Sequence, residues 1–310
     1  MSSIAAPNDR TARDASPERS LTGFDWLLYA LTVIAWSGSW WALALQVHEV
    51  PIAVSLFWRF LIAAGVMWAW MTVARRDMRL SRAVHGAVLA MGLAMFSTNF
   101  ALFYVASQWL ISGLLSVVFA LSSVINLVFA AAIARRLPRL RALVGATLGV
   151  AGIALLFAPQ LADQSWTGGA AVGLGLCVAG TLLFCTGNQI SARLQGRGVP
   201  LLPATTWGMT YGAAGCAIFA LASGHSLSGS LDTVWVASLV WLALVSSVLA
   251  FWSYLTLLGR IGAGRAGYAT VVFPVFALLL SSVVEDYRFT LAGLMGMGLV
   301  AVGNVLVLRR

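Results

Sequence analysis

The sequence predicts an all-α polytopic membrane protein, with ten transmembrane helices arranged as two inverted five-helix repeats. Three observations predict it. The chain is 60% hydrophobic and only 9% charged, against roughly 25% charged residues in soluble globular chains. Its apolar residues gather in ten runs, each near the ~17–25 residues that cross a bilayer as a helix. Finally, Ser37-Gly38, Gln46, Val50-Pro51 and Trp58 match Thr186-Gly187, Gln195, Val199-Pro200 and Trp207 at a constant offset of 149 residues without a gap.

The runs lie at about 26–46, 52–74, 83–105, 109–133, 142–158, 169–191, 202–223, 232–257, 265–283 and 290–308. Their length excludes porin-type strands, which would be ~10-residue segments of alternating hydrophobicity. Residues 1–25 form a polar tail carrying Arg10, Arg13 and Arg19. The run behind it is long enough to span, so a retained first helix is expected rather than a cleaved signal peptide. The first repeat is then 26–158, the connection 159–168 and the second repeat 169–308.

Arginine placement orients the chain. With the N-terminus in the cytoplasm, 17 of the 19 arginines fall on the inner side; only Arg288 lies in an outer loop, and Arg59 lies inside a span. This is the positive-inside pattern, and it places both termini in the cytoplasm of a bacterial-type inner membrane. The net charge of +9 comes from Arg alone. Because those arginines cap apolar runs, the basic balance argues against a nucleic-acid partner. Cys177, Cys185 and Cys216 fall within apolar runs and read as small packing residues. No metal site or cofactor is expected.

Five helices per copy is an odd number, so the second copy enters the membrane from the opposite side. The copies are then related by a pseudo-two-fold axis in the membrane plane. Later matches agree: Tyr104 with Tyr254, Val117-Val118-Phe119 with Val271-Val272-Phe273, and Gly145 and Gly152 with Gly296 and Gly303. Seven residues is nearly two helical turns, so each glycine pair lies on one face, where small residues let helices approach. Inverted repeats around a central site are a transporter signature, with alternating access arising when the copies exchange conformations.

The chain resembles the EamA-type transporters of the drug/metabolite transporter superfamily. The likeness covers about residues 26–308 and rests on Trp36-Ser37-Gly38-Ser39, Trp58-Arg59-Phe60, Phe273-Pro274-Val275-Phe276 followed by Glu285, and the Gly-rich last helix of each half. Within that family it is most similar to the YddG-type aromatic amino acid exporters. The resemblance implies ten helices and export of a small solute. The sequence departs from the family pattern at Trp-Ser-Gly-Ser, where Trp-Gly-Ser is usual. It also departs at Arg135-Arg136, which stand where the second half keeps Glu285.

Charge inside the spans is nearly confined to Arg59, about eight residues or roughly 12 Å past Pro51. An intramembrane charge is a functional candidate. Arg59 is a candidate anchor for a substrate carboxylate; the alternative is an arginine that snorkels outward or holds carbonyls. No Asp, Glu or His lies mid-span. The carboxylate relays common in proton-coupled pumps are therefore missing from the spans, and movement down a gradient is expected.

Trp36 and Trp40 sit mid-span, four residues apart on one helix face, and Phe119 and Phe184 are also near mid-span. With Trp58, Trp207 and Tyr254 they are candidate walls of a cavity that stacks planar or apolar solutes; packing and lipid contact are the alternatives for each. Trp26, Trp68, Trp70, Trp109 and Trp235 fit an interfacial belt instead. Ser39, Asn99, Ser123 and Asn188 are candidate hydrogen-bonding groups of the same cavity, with interhelical bonding as the alternative. Gly113, Gly267 and Pro274 are candidate gating or hinge positions.

No His-Glu-x-x-His, Gly-x-Ser-x-Gly or paired mid-span acids occur, so an enzyme is not expected. No Walker motif occurs, so no ATPase subunit is evident. The expected partners are the lipid bilayer and a small-molecule substrate. The leading expectation is export of aromatic and other bulky apolar amino acids around a central aromatic cavity. The alternative is broad efflux of drugs or aromatic cations.

Overall fold

The computed structural model describes residues 21–47, 50–135, 140–162, 169–261, 266 and 268–308. Among these, ten helices follow one another: α1 Gly23–Ala44, α2 Ile52–Val73, α3 Arg82–Ala106, α4 (Ser112–Ala120 and Ser122–Ala134, joined at Leu121), α5 Leu140–Ala162, α6 Gly169–Gly196, α7 Leu201–Ala222, α8 (Thr233 to Ile261), α9 Ala269–Val284 and α10 Leu291–Leu308. No strand occurs among the described residues. Seven of the helices are long and apolar enough to cross a membrane, and α9 and α10 are shorter apolar helices. α7 is long enough but diluted by Thr205, Thr206 and Thr210; the first two are buried against protein, so its polarity is not presented to lipid.

Local chemistry sets the helix starts. Thr22 and Asp25 form a reciprocal capping box on α1, satisfying two of its free donors. Pro51 and Pro200 precede α2 and α7 at matching places in the duplication, where a residue lacking an N–H loses nothing. The Asp232 carboxylate accepts the backbone N–H groups of Val234 and Trp235 at 2.8 and 3.0 Å and starts α8. The α6–α7 turn passes through Gly198 at φ 82°, a left-handed conformation that glycine adopts without strain.

The helices pack as an inverted duplication requires. α2 packs on its counterpart α7, α4 on α9 and α5 on α10. The largest of the remaining contacts come in exchanged pairs: α1–α9 with α6–α4, α3–α6 with α8–α1, and α3–α7 with α8–α2. The third helix of each half also carries a π-helical segment, Ala94–Thr98 in α3 and Trp241–Leu249 in α8. Such wide turns recur at functional sites because they re-aim side chains out of register. The outer surface is apolar, with Ile34, Val150, Ile218 and Phe219 all exposed, as a lipid-facing belt requires.

Two of the tryptophans read as interfacial pack against other helices. Trp235 is 3% exposed and donates its indole N–H to Ser55 Oγ at 3.1 Å. Trp68 donates to Thr210 Oγ1 at 3.1 Å and is half-buried. Both indole N–H groups are satisfied by a hydroxyl on another helix, as buried indoles require. Trp26 and Trp109 are exposed, consistent with the belt.

Candidate functional site

The two π segments and the duplicated first helices converge on one cavity of about 350 Å³ between the halves. α1 contributes Trp36, Ser39 and Trp40; α2 contributes Arg59 and Phe60. α3 presents Met95 and Phe96 from its π segment, then Phe100. α4 gives Phe119, Ser122, Ser123 and Asn126, and α6 gives Phe184 and Asn188. α8 presents Ser246 and Ser247 from its π segment, then Phe251 and Tyr254. α9 closes the wall with Thr270 and Phe273.

The walls are a connected aromatic lattice. The Trp36 ring lies 5.2 Å from Tyr254, 6.0 Å from Phe273 and 6.2 Å from Phe251. Phe119 bridges to Phe273 at 6.4 Å, to Trp40 at 5.3 Å and to Phe184 at 4.7 Å. These are tilted and edge-on geometries, which the ring quadrupoles favour and which fix each ring in place. Phe119 and Phe273 are repeat counterparts, so the duplication itself brings matching rings together in the wall.

Polar groups punctuate this lattice. Ser39 Oγ donates to the Trp36 carbonyl at 2.6 Å, and Ser37 Oγ donates across to the Phe273 carbonyl at 2.9 Å, tying α1 to α9 beside Pro274. Ser123 Oγ is hydrogen-bonded to Asn304 Oδ1 on α10. The Gln189 amide donates to Asn126 Oδ1 at 3.2 Å, joining α6 to α4. The repeat counterparts Ser39 and Asn188 both line the cavity.

Arg59 is 3% exposed and supplies the cavity's charge. Its guanidinium lies 4.3 Å from the Phe100 ring centre and 5.1 Å from that of Phe60, both within cation–π range. Nε donates to Ser247 Oγ at 3.4 Å, and Ser247 in turn donates to the Leu242 carbonyl five residues back, across the π turn. Nη1 is buried without a partner. No acidic side chain lines the cavity among the described residues.

The remaining expected residues lie elsewhere. Asn99 is fully buried outside the cavity wall, with its side-chain amide unpartnered, where α3 meets α6 at Gly180. Trp207 faces a separate cluster: it donates to the Met78 carbonyl at 2.9 Å, stacks on Tyr211 and meets Trp68 and His85 edge-on. Trp58 donates to the Leu227 carbonyl at 2.9 Å, also away from the cavity. Mid-span position alone did not say which way a helix turns; the register of α2 and α7 sends Trp58 and Trp207 to the seams.

Of the hinge candidates, Pro274 is buried inside α9, where it removes one helical donor. Gly113 sits at the start of α4, packed on α9: its N–H donates to Ser281 Oγ at 2.8 Å. The neighbouring Ser112 donates through Oγ at 2.7 Å and through its N–H at 3.2 Å to the Glu285 carboxylate. α4 is thus capped by groups from α9 rather than by its own preceding residue. Gly267 lies outside the described residues.

Sequence reasoning did not assign Ser246, Ser247, Phe251, Phe96 or Phe100 to the site. The adjacent serines in the middle of an apolar run were the available signal. The π turn that aims them inward leaves no periodicity to read.

A family profile described as the EamA-like transporter family matches residues 25–158 and 171–309, one copy on each half. An uncharacterized transporter of Archaeoglobus fulgidus is 24% identical over 286 residues, covering 92% of this chain and 99% of that protein. A probable amino-acid metabolite efflux pump of Escherichia coli is 23% identical over 303 residues, covering 92% of this chain and 96% of that protein. A solved crystal structure superposes with a TM-score of 0.64 at 16% identity, covering 91% of this chain and 95% of the other, and shares the fold.

Proposed function

The chain belongs to the EamA-like transporter family, and from that premise we propose that this multi-pass membrane transporter exports aromatic and other bulky apolar amino acids. Residues 26–158 and 169–308 act as the two moving repeats, and substrate enters the cavity between them by alternating access. Trp36, Trp40, Phe119, Phe184 and Tyr254 stack the apolar body. Ser39, Ser123 and Asn188 hydrogen-bond it, and Arg59 anchors its carboxylate. Gly113, Gly267 and Pro274 serve the gates. The membrane is the bacterial-type inner membrane, with both termini cytoplasmic, and flux runs down the substrate gradient.

One observation carries this reading: the Arg59 guanidinium, 3% exposed, lines an aromatic cavity that offers it no acid among the described residues. A buried charge needs a partner, and a carboxylate supplies one with two-point geometry. The volume of about 350 Å³ is at the lower end of small-molecule sites, which run ~300–1,000 Å³; it suits an amino acid better than a large drug. An amino-acid metabolite efflux pump among the relatives points the same way. Efflux of aromatic cations is disfavoured by the same arginine.

Counterflow in proteoliposomes tests the proposal. Labelled tryptophan and phenylalanine should exchange saturably above protein-free liposomes without an imposed proton gradient. Failure of every aromatic and aliphatic amino acid, with uptake of aromatic cations instead, would refute it.

A further inference from the structure

The cavity is lined by a cation and, among the described residues, by no anion. Among the described residues, the acidic side chains are Asp25, Asp77, Asp232, Glu285 and Asp286, all at helix ends or in connections. Four are already engaged: Asp25 pairs with Arg260, Asp77 accepts from the Arg79 N–H, Asp232 caps α8 and Glu285 caps α4. The position related to Arg59 by the duplication is Gly208, so the second half adds no compensating charge. Phe60, Phe100 and Ser247 hold the guanidinium in place, and none of them neutralises it.

This arrangement discriminates among carboxylates. Two-point binding puts the carboxylate oxygens ~2.8 Å from the guanidinium nitrogens. In an α-amino acid the ammonium sits one carbon away from that carboxylate, so it comes within about 5–6 Å of the guanidinium. Two cations at that range in a low-dielectric cavity repel, and no lining carboxylate holds the ammonium. Aromatic faces attract it, but weakly beside a full ion pair. Replacing the ammonium with a carbonyl removes the repulsion and keeps the carboxylate and the aromatic body.

We infer that the site prefers, over the amino acids proposed above, monocarboxylates with an aromatic or bulky apolar body and no ammonium beside the carboxylate, above all the corresponding 2-oxo acids. The inference rests on the cavity being the substrate site, as proposed above. Ser247 is a positioning residue in it: it holds the Arg59 guanidinium through Nε.

The test is counterflow of phenylalanine, phenylpyruvate, 3-phenylpropanoate and phenethylamine by the wild-type protein, each corrected for protein-free liposomes. The two carboxylates lacking an ammonium should show kcat/KM at least about tenfold above phenylalanine, and phenethylamine should not move. Arg59→Gln should lower both carboxylates at least about tenfold and bring their ratio to phenylalanine near one. Ser247→Ala, a milder change, should shift the same ratio in the same direction. Phenylalanine moving as well as phenylpyruvate in the wild type would overturn this inference while leaving amino acid export standing. Transport of phenethylamine alone, or of none of the four, would overturn both.

Discussion

Gly145 on α5 and Gly303 on α10 meet backbone to backbone: a Cβ on Gly145 would lie 2.6 Å from the Gly303 carbonyl oxygen, and one on Gly303 would lie 2.5 Å from that of Gly145. Gly152 and Gly296 repeat the relationship at 2.6 Å in both directions. Position 145 pairs with 303 and 152 with 296, so the two helices run antiparallel. Yet Gly145 corresponds in the duplication to Gly296, and Gly152 to Gly303. Exchanging the copies turns one contact into the other, as an axis in the membrane plane requires.

Gly145→Ala should therefore push α5 and α10 apart. The added methyl meets a carbonyl rather than a flexible side chain, and overpacking of this kind costs about 1–3 kcal/mol. Thermal unfolding in detergent should show a midpoint lowered by roughly 3 °C or more. Gly298→Ala on the same α10, where nothing lies within 4 Å of the added atom, should leave the midpoint unchanged or slightly raised, since alanine is the better helix former.

Gly113→Ala should act on turnover. Its Cβ would lie 2.8 Å from Ser281 Oγ and 2.9 Å from the Leu278 Cα, so the α4–α9 contact at this end of the cavity cannot close as it does now. The maximal counterflow rate should fall several-fold while KM changes less than about twofold. Unchanged turnover would count against this seam as a gate.

The aromatic wall gives a paired prediction. Trp36→Ala removes a ring that touches Tyr254, Phe251 and Phe273 inside the cavity, and KM for tryptophan should rise about tenfold. Trp207→Phe deletes the hydrogen bond to the Met78 carbonyl outside the cavity. It should lower stability by about 1 kcal/mol and leave KM as it was.

Much of this molecule was legible from its sequence because a membrane simplifies the code. Apolar run length gave the ten helices, and ungapped recurrence of Ser37-Gly38 to Trp58 as Thr186-Gly187 to Trp207 gave the duplication. Trp36, Ser39, Trp40, Arg59, Phe119, Ser123, Phe184, Asn188 and Tyr254 all reach the cavity. Trp207 and Asn99 do not, because depth in the membrane says nothing about rotation of a helix about its axis. Ser247 and Phe100 escaped notice for a related reason. Each lies in or just after a π segment, and a local change of helical period moves side chains off the face that a regular 3.6-residue period would assign.

Substrate protection of cysteines tests the central claim, that solute passes through the cavity between the halves, most directly. The native Cys177, Cys185 and Cys216 are all buried and can be replaced to give a background for single cysteines at Ser39 on α1 and Asn188 on α6. A transported amino acid should slow thiol labelling of both Ser39→Cys and Asn188→Cys, with half-protection near its KM. Unchanged labelling at both positions, in protein that still transports that amino acid, would contradict the account.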